Sequence, residues 1–299
     1  LVGMTRAEIE ATFSPELEAL AVKSNATCRQ VMDRLTRQYD GYRFTKDEEF
    51  TSMYNPFSVL SALQKRSYGN YWFASGTPTF LVEMLQKTDF DLREMEGIEV
   101  NEASLSDDRA DINNPIPMIY QSGYLTIKDY DERFRMYTLG FPNEEVKYGF
   151  LNFVSPFYTP IAQTDTSFYI GKFIRELESG DVDAFLTRLR CFFAGIPYDL
   201  NDRTERHYQT VFYLVFQLMG QFTETEVRSA RGRADAVVKT PDYIYVFEFK
   251  LNDSAEAALR QIDEKGYLLS YQADGRKVVK VGVAFEKEER NIGEWMIGG

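Results

Sequence analysis

The sequence predicts an α/β protein, with an open sheet layered by helices in its C-terminal third and a mainly helical region with one hairpin before it. Three observations carry that prediction. Residues 222–285 alternate β-branched and aromatic runs with one helical stretch, the order of an open α/β layer structure. Residues 5–100 carry apolar side chains at turn-like helical intervals. Between these regions, residues 117–146 hold two alternating runs around the polar turn Asp131-Glu132-Arg133, a hairpin signal.

In the first region, Ala11, Leu17, Leu20, Val31 and Leu35 recur with helical spacing from Thr5 to about Asp40. The segment YDGYRF (39–44) ends it in a glycine turn, and NPFSVLSALQ (55–64) is a short helix whose start is marked by Asn55 or Pro56. A loop containing Gly76 and Pro78 leads into another helix within 70–85. In the hairpin, Leu125 and Ile127 alternate with polar neighbours, as do Phe134, Met136 and Thr138. A helix followed by a hairpin is the outline of a winged helix, which binds nucleic acid or packs as a lid. The negative charge around it points to packing.

Residues 165–195 are helical, and the turn AGIPYDLND (194–202) marks a boundary. Beyond it the expected order is helix 203–219, strands near 222–228, 233–239 and 243–251, helix 254–271 and strand 277–285.

Composition narrows the chemistry. At 299 residues, 44% apolar and 15% aromatic, the chain is long enough for two domains and is not disordered as a whole. No stretch approaches the ~18 consecutive apolar residues of a membrane span, so a soluble cytoplasmic protein is expected. Cys28 and Cys191 stand far apart, which supplies neither a disulfide framework nor a thiolate zinc site. His207 is the single histidine, so catalysis must lean on carboxylates and lysines. The net charge of −12 argues against a nucleic-acid partner, but its distribution does not. Residues 201–299 carry 14 basic against 16 acidic side chains, and Arg228, Arg231, Arg233 and Lys239 cluster there.

The most informative run is YIYVFEFKL (243–251), a strand apolar on both faces and therefore central in its sheet. Alternation puts Ile244, Val246, Glu248 and Lys250 on one face and Tyr243, Tyr245, Phe247 and Phe249 on the other. Two charges emerge together from a buried strand, an arrangement that costs several kcal/mol if unpaired and gains little even when paired. If the turn after GRADAVVK (232–239) centres on Pro241 and Asp242, Asp235 stands opposite Glu248 with Cβ atoms roughly 5 Å apart. Proline cannot take the positive φ of the tightest turns, so a bulge is an open alternative, and a slip of one residue would turn Asp235 to the wrong face.

Two carboxylates with waters and a carbonyl suit Mg²⁺ or Mn²⁺. Such an ion would polarise a phosphodiester and acidify a bound water while Lys250 orients that water or offsets developing charge. The plainer reading is a cross-strand ion pair of Asp235 or Glu248 with Lys250; the aspartate one hairpin earlier and the apolar faces favour the functional one. Glu205 shares a helical stripe with Tyr208, Phe212, Val215 and Met219, so it reads equally as a third metal ligand or as a complement to the helix dipole. His207 lies about 200° around that helix from Glu205, which predicts a surface position. After the strand, Ser254 or Asp253 caps a helix. There Gln261 and Lys265 share a face suited to a phosphate or simply to solvent, while Leu259, Ile262 and Leu269 mark the packed side.

GRADAVV, FEFKL after 8 intervening residues, ALRQIDEKGY and VGVAF together resemble the PD-(D/E)XK nuclease superfamily domain found at the C-terminus of bacterial AAA-ATPase-like proteins. YDGYRF, YNPFSVL, NYWFASGTP and QSGYL…GFPNEEV resemble the end of the ATPase-like region of the same proteins, so the resemblance covers nearly the whole chain. It implies a restriction-endonuclease-like mixed sheet flanked by helices at 201–299, a helical and winged-helix-like lid at 1–160 and a helical linker at 161–200. It also implies Asp235, Glu248 and Lys250 as catalytic residues joined by Gln261, with metal at Asp235, Glu248 and Glu205, Mg²⁺ or Mn²⁺ as cofactor, and nucleic acid, DNA foremost, as substrate. The alternative is an inactive nucleic-acid-binding or regulatory module that keeps the fold. No G-x-x-x-x-G-K-[ST] loop occurs in the chain, and residue 1 is Leu at the edge of a helical pattern. Both lead to the expectation that a nucleotide-binding core precedes this sequence and that ATP enters only through it.

Overall fold

The computed structural model describes residues 3–47, 51–73, 81, 84–85, 90–106, 114–159, 162, 165–196, 205–227, 235–251, 253–286, 288–289 and 291–299. It comprises two compact units, Leu1–Phe150 and Leu151–Gly299.

In the first unit the long helical pattern resolves into α1 (Arg6–Thr12), α2 (Ser14–Ser24) and α3 (Cys28–Tyr39). Thr5 with Glu8, and Thr27 with Gln30, form capping boxes that satisfy the first amides of α1 and α3. Helix α4 (Pro56–Lys65) starts as expected, with Asn55 Oδ1 accepting the amides of Phe57 and Ser58. These helices close around Ile9, Leu20, Val31, Leu35, Tyr39 and Val59. Ala11, expected inside, is exposed; Ile9 takes the buried position on its helix. The helix expected within 70–85 lies largely outside the described residues. Gly41 adopts φ +105°, and a Cβ there would sit 2.0 Å from the Pro142 carbonyl oxygen, so the turn in YDGYRF requires glycine.

The hairpin is present as β2 (Thr126–Asp131) and β3 (Met136–Gly140), following α6 (Ile116–Gln121). A further strand, β1 (Ile98–Asn101), pairs antiparallel with β3 and gives the order β1-β3-β2. Phe134 falls in the turn, where it is exposed. A short helix α5 (Glu102–Ser106) follows β1, and α7 (Glu144–Val154) runs across the division between the units.

The second unit holds α8 (Thr166–Glu178), α9 (Val182–Ala194), α10 (Glu205–Met219) and α11 (Ala255–Glu264) around a mixed sheet. Its strands are β4 (Glu224–Val227), β5 (Ala236–Lys239), β6 (Tyr243–Leu251), β7 (Lys277–Glu286) and β8 (Asn291–Gly298), in that spatial order among the described residues. All neighbours are antiparallel except β6 and β7, the parallel pair that α11 connects.

Strand β6 is central and splits its side chains as alternation requires. Tyr245 and Phe247 are fully buried; Phe247 packs against Phe185 of α9 and Phe216 of α10, and the Tyr245 hydroxyl donates to the Leu177 carbonyl at 2.6 Å. Ile244 and Val246 pack on the opposite side with Val237 and Ile262. Helices α8 and α9, in the range read as a linker, thus supply cover for this sheet. The units divide at Phe150 and Leu151, whereas the sequence reading set its limits at 160 and 200.

Candidate active site

The geometry begins in the turn between β5 and β6. Neither Pro241 nor Asp242 takes a positive φ. The Thr240 amide donates to the Tyr243 carbonyl at 2.8 Å, while the Tyr243 amide is taken by Thr240 Oγ1 at 3.1 Å. A threonine side chain therefore closes a turn that proline keeps out of the type I′ conformation. The register then runs unbroken from Lys239–Ile244 to Ala236–Phe247, without the bulge left open by the sequence. One step further it sets Asp235 opposite Glu248, and Asp235 Oδ2 accepts the Phe249 amide at 2.9 Å.

Glu248 is 2% exposed. Its Oε1 lies 3.5 Å from Lys250 Nζ and accepts from Gln261 Nε2. Gln261 Oε1 in turn accepts from Lys250 Nζ, so one carboxamide spans the carboxylate and the ammonium. Helix α11 can deliver Gln261 to this point for two reasons. Ser254 caps the helix directly after β6, its Oγ accepting the Ala257 amide at 3.1 Å. Gly282, the β7 partner of Glu248, lets the helix close on the sheet, since a Cβ there would meet the Ala255 carbonyl oxygen at 2.3 Å.

Burial, then repulsion from Asp235, pushes Glu248 up to about 7, with Lys250 and the Asp235 backbone amide opposing. Burial also raises Asp235, against the pull of the Phe249 amide and Lys250. Glu248 Oε2 is buried and accepts no hydrogen bond among the described residues. A buried carboxylate oxygen left without a donor, beside a second carboxylate, is the coordination chemistry of a hard divalent cation. The donor set therefore fits Mg²⁺ or Mn²⁺. Among the described residues no group of three or more His, Cys, Asp or Glu is gathered to hold a metal. The side chain of Glu205 lies outside the described residues, as do Arg228, Arg231 and Arg233.

Several expectations are corrected here. His207 is buried, not on the surface, because α10 is covered around most of its circumference: Thr210, Val211, Tyr213 and Leu214 are buried as well as the expected stripe. Leu269 is exposed, since the helix ends at Glu264 and Leu269 lies in a separate 3₁₀ turn. Lys239 is engaged by Glu224 and Glu226 at 3.4 and 3.5 Å. Lys265, expected to share a role with Gln261, stands exposed at the helix C-cap.

Tyr267 is a neighbour of the site to which the sequence reading gave no role. Gly266 at φ +64° turns the chain back after α11, and Tyr267 packs against the Val246 and Ile262 cluster with its hydroxyl buried. Burial raises its pKa, Gln261 lowers it, and the carboxylates of Glu248 and Asp235 add to the rise. The glycine that ends the helix is the sequence signal that places it.

A family model of the PD-(D/E)XK nuclease superfamily matches residues 203–295, and this part of the chain is a PD-(D/E)XK nuclease superfamily domain. Over 301 aligned residues the chain is 32% identical to a protein of Azotobacter chroococcum mcd 1 described as "Uncharacterized protein in vnfD 5'region", covering 98% of this chain and 55% of that protein. The chain thus spans about half the length of the curated relative it matches. No solved structure matches it. No helix among the described residues is long and apolar enough to cross a membrane.

Proposed function

We propose that the C-terminal unit hydrolyses phosphodiester bonds of nucleic acid with a divalent cation held by Asp235 and Glu248. The observation that carries the reading is the convergence of Asp235, Glu248, Lys250 and Gln261 at one point of a superfamily domain whose members are nucleases as a class. A bound Mg²⁺ or Mn²⁺ would supply Lewis acidity toward the phosphate and lower the pKa of an attacking water. Lys250, which is 23% exposed, would offset the negative charge that develops on the phosphorane oxygens. Gln261 fixes the ammonium and the Glu248 carboxylate relative to one another, and Glu205 at the start of α10 is the candidate third ligand. DNA is the substrate to test first.

The resemblance of residues 1–160 to the lid of ATPase-like proteins motivates a further part of the reading. In it, this chain works beside an ATPase-like nucleotide-binding core that lies outside it. One observation favours the alternative of an inactive binding module: Glu248 is almost wholly buried and closed by Gln261. Incubating plasmid DNA with the wild type, Asp235→Ala and Lys250→Ala in Mg²⁺ or Mn²⁺ separates the two. Cleavage lost in both variants supports the nuclease; DNA binding with no cleavage in either metal supports the inactive module.

A further inference from the structure

The four motifs that the sequence analysis quoted from the first unit are spread over some eighty residues, and the nuclease chemistry uses none of them. In the fold they meet around one cavity of about 390 Å³. YDGYRF contributes Tyr42 and Phe44, YNPFSVL contributes Asn55 and Phe57, NYWF contributes Trp72 and QSGYL contributes Gln121. The isolated bridges of Tyr42 with Met53 and of Met4 with Tyr54 hold the first two segments in place, and the Tyr42 hydroxyl donates to the Gly123 carbonyl at 3.3 Å.

The lining has a definite chemistry. Its described residues are aromatic, aliphatic or amide-bearing, and no charged side chain lies among them, in a chain that is 27% charged. Such a wall offers nothing to neutralise a phosphate, carboxylate or ammonium. It does offer ring faces: Tyr42 and Phe44 are stacked at 5.9 Å with 19° between their planes, and Phe44 and Phe57 stand at the rim 43% and 53% exposed. Its hydrogen-bonding side chains are all neutral, and besides the tyrosine and Ser122 hydroxyls and the Trp72 indole they are two amides. Asn55 spends its Oδ1 on the Phe57 and Ser58 amides while its side chain also interacts with the Tyr42 hydroxyl, and Gln121 adds a second amide. The volume lies in the range of small-molecule sites, ~300–1,000 Å³, and a mostly apolar wall with a few placed polar groups is the usual make-up of one. It is too small and too enclosed by distant segments for an extended peptide.

We propose that this cavity binds an uncharged planar heteroaromatic compound, with ring faces recognised by Tyr42, Phe44, Phe57 and Trp72 and ring-edge groups by Asn55 and Gln121. The proposal is independent of the nuclease reading.

The test uses the tryptophan already in the wall. The chain has two, so Trp295→Phe leaves Trp72 as the only one, at the loss of the hydrogen bond of Trp295 to Asp183. Trp72 fluorescence is followed while adenosine, uridine, caffeine and adenosine monophosphate are added separately. Saturable quenching by at least one neutral probe is expected, weakened tenfold or more by Phe57→Ala and by Gln121→Ala. Both variants alter exposed residues, and their circular dichroism should match that of the parent. No saturable response to any neutral probe overturns the proposal. So does an affinity unchanged in both variants, which would place binding elsewhere, or monophosphate binding tighter than adenosine, which would contradict the uncharged wall.

Discussion

Asp235 lies one residue beyond the last paired residue of β5, in line with Glu248 of β6, and its charge bears on that of Glu248, whose buried Oε2 accepts no hydrogen bond among the described residues. Two buried acids beside a single ammonium leave an excess of negative charge, which destabilises a fold unless a cation takes it up. Glu248→Gln keeps the shape and removes the charge. In EDTA its urea midpoint should exceed that of the wild type, while Mg²⁺ or Mn²⁺ should stabilise the wild type only. Cleavage should drop by about 10² or more, the scale of losing one preorganised electrostatic contact. A variant less stable in EDTA, or one that still cuts at the wild-type rate, would remove the metal from this account.

Gln261 touches no reacting atom in this reading; it positions Glu248 and Lys250. Gln261→Ala should therefore weaken Mn²⁺ binding or activity by roughly 10–100-fold, the range for groups that orient metal ligands. Lys250→Met should leave Mn²⁺ affinity nearly intact and abolish turnover. Calorimetric Mn²⁺ titrations beside single-turnover cleavage distinguish the two. Equal effects of both variants on metal affinity would contradict the division of roles.

The strand and its pairing were legible because β6 announces itself three ways: a nine-residue apolar run, charges at alternating positions and a turn of fixed length before it. Counting across Pro241 and Asp242 was enough to bring Asp235 opposite Glu248. Thr240, which decides how the turn closes, carries no pattern that separates it from any threonine in a loop. His207 was misplaced because helical periodicity assumes a single packed face, and burial of α10 on further sides depends on neighbours far away in sequence. Strand β8 was missed because its exposed Glu294, Met296 and Ile297 blur the alternation expected of a sheet edge. The convergence of Gln261 depends on the close approach at Gly282, which only the folded chain reveals.

Gly282→Ala tests that approach. The new Cβ meets backbone atoms, the Ala255 carbonyl oxygen at 2.3 Å and the Leu259 amide nitrogen at 2.9 Å, so neither neighbour can yield by changing rotamer. Overpacking of this kind typically costs about 1–3 kcal/mol. Lifting α11 would also carry Gln261 away from Glu248. Urea denaturation should show the loss of stability, and Mn²⁺ affinity should fall even under conditions where the variant is fully folded. Wild-type stability and metal binding together would refute the close-approach explanation.

Residues 201–299 should not fold by themselves. Without α8 and α9, Tyr245 loses its acceptor at Leu177 and Phe247 loses Phe185, exposing rings whose burial stabilises by ~1.5–3 kcal/mol each. A chain of residues 151–299 keeps both helices and matches the compact unit. It should unfold cooperatively in urea with near-ultraviolet dichroism from its packed aromatics, whereas 201–299 should show neither. A cooperative transition for 201–299 would return α8 and α9 to the status of a linker.

Glu145 offers a pH test in the first unit. It is 1% exposed, and its Oε1 accepts the Trp72 amide at 2.9 Å. Burial holds its pKa above the ordinary 4.5, opposed by Ser58 and by the Trp72 and Tyr71 amides. A carboxyl whose folded pKa is raised stabilises the fold relative to its ionised form only while protonated. The contribution is complete below about pH 4.5 and is lost as pH rises through the folded value. Glutamine at 145 retains an oxygen for the Trp72 amide and has no charge to acquire. Glu145→Gln should thus match the wild type near pH 4 and exceed it at pH 8 by roughly 1–3 kcal/mol, the scale of burying a polar group whose hydrogen bonds only partly offset its desolvation. Urea midpoints at the two pH values decide it: parallel pH dependence in the two proteins would mean that Glu145 stays ionised at no cost.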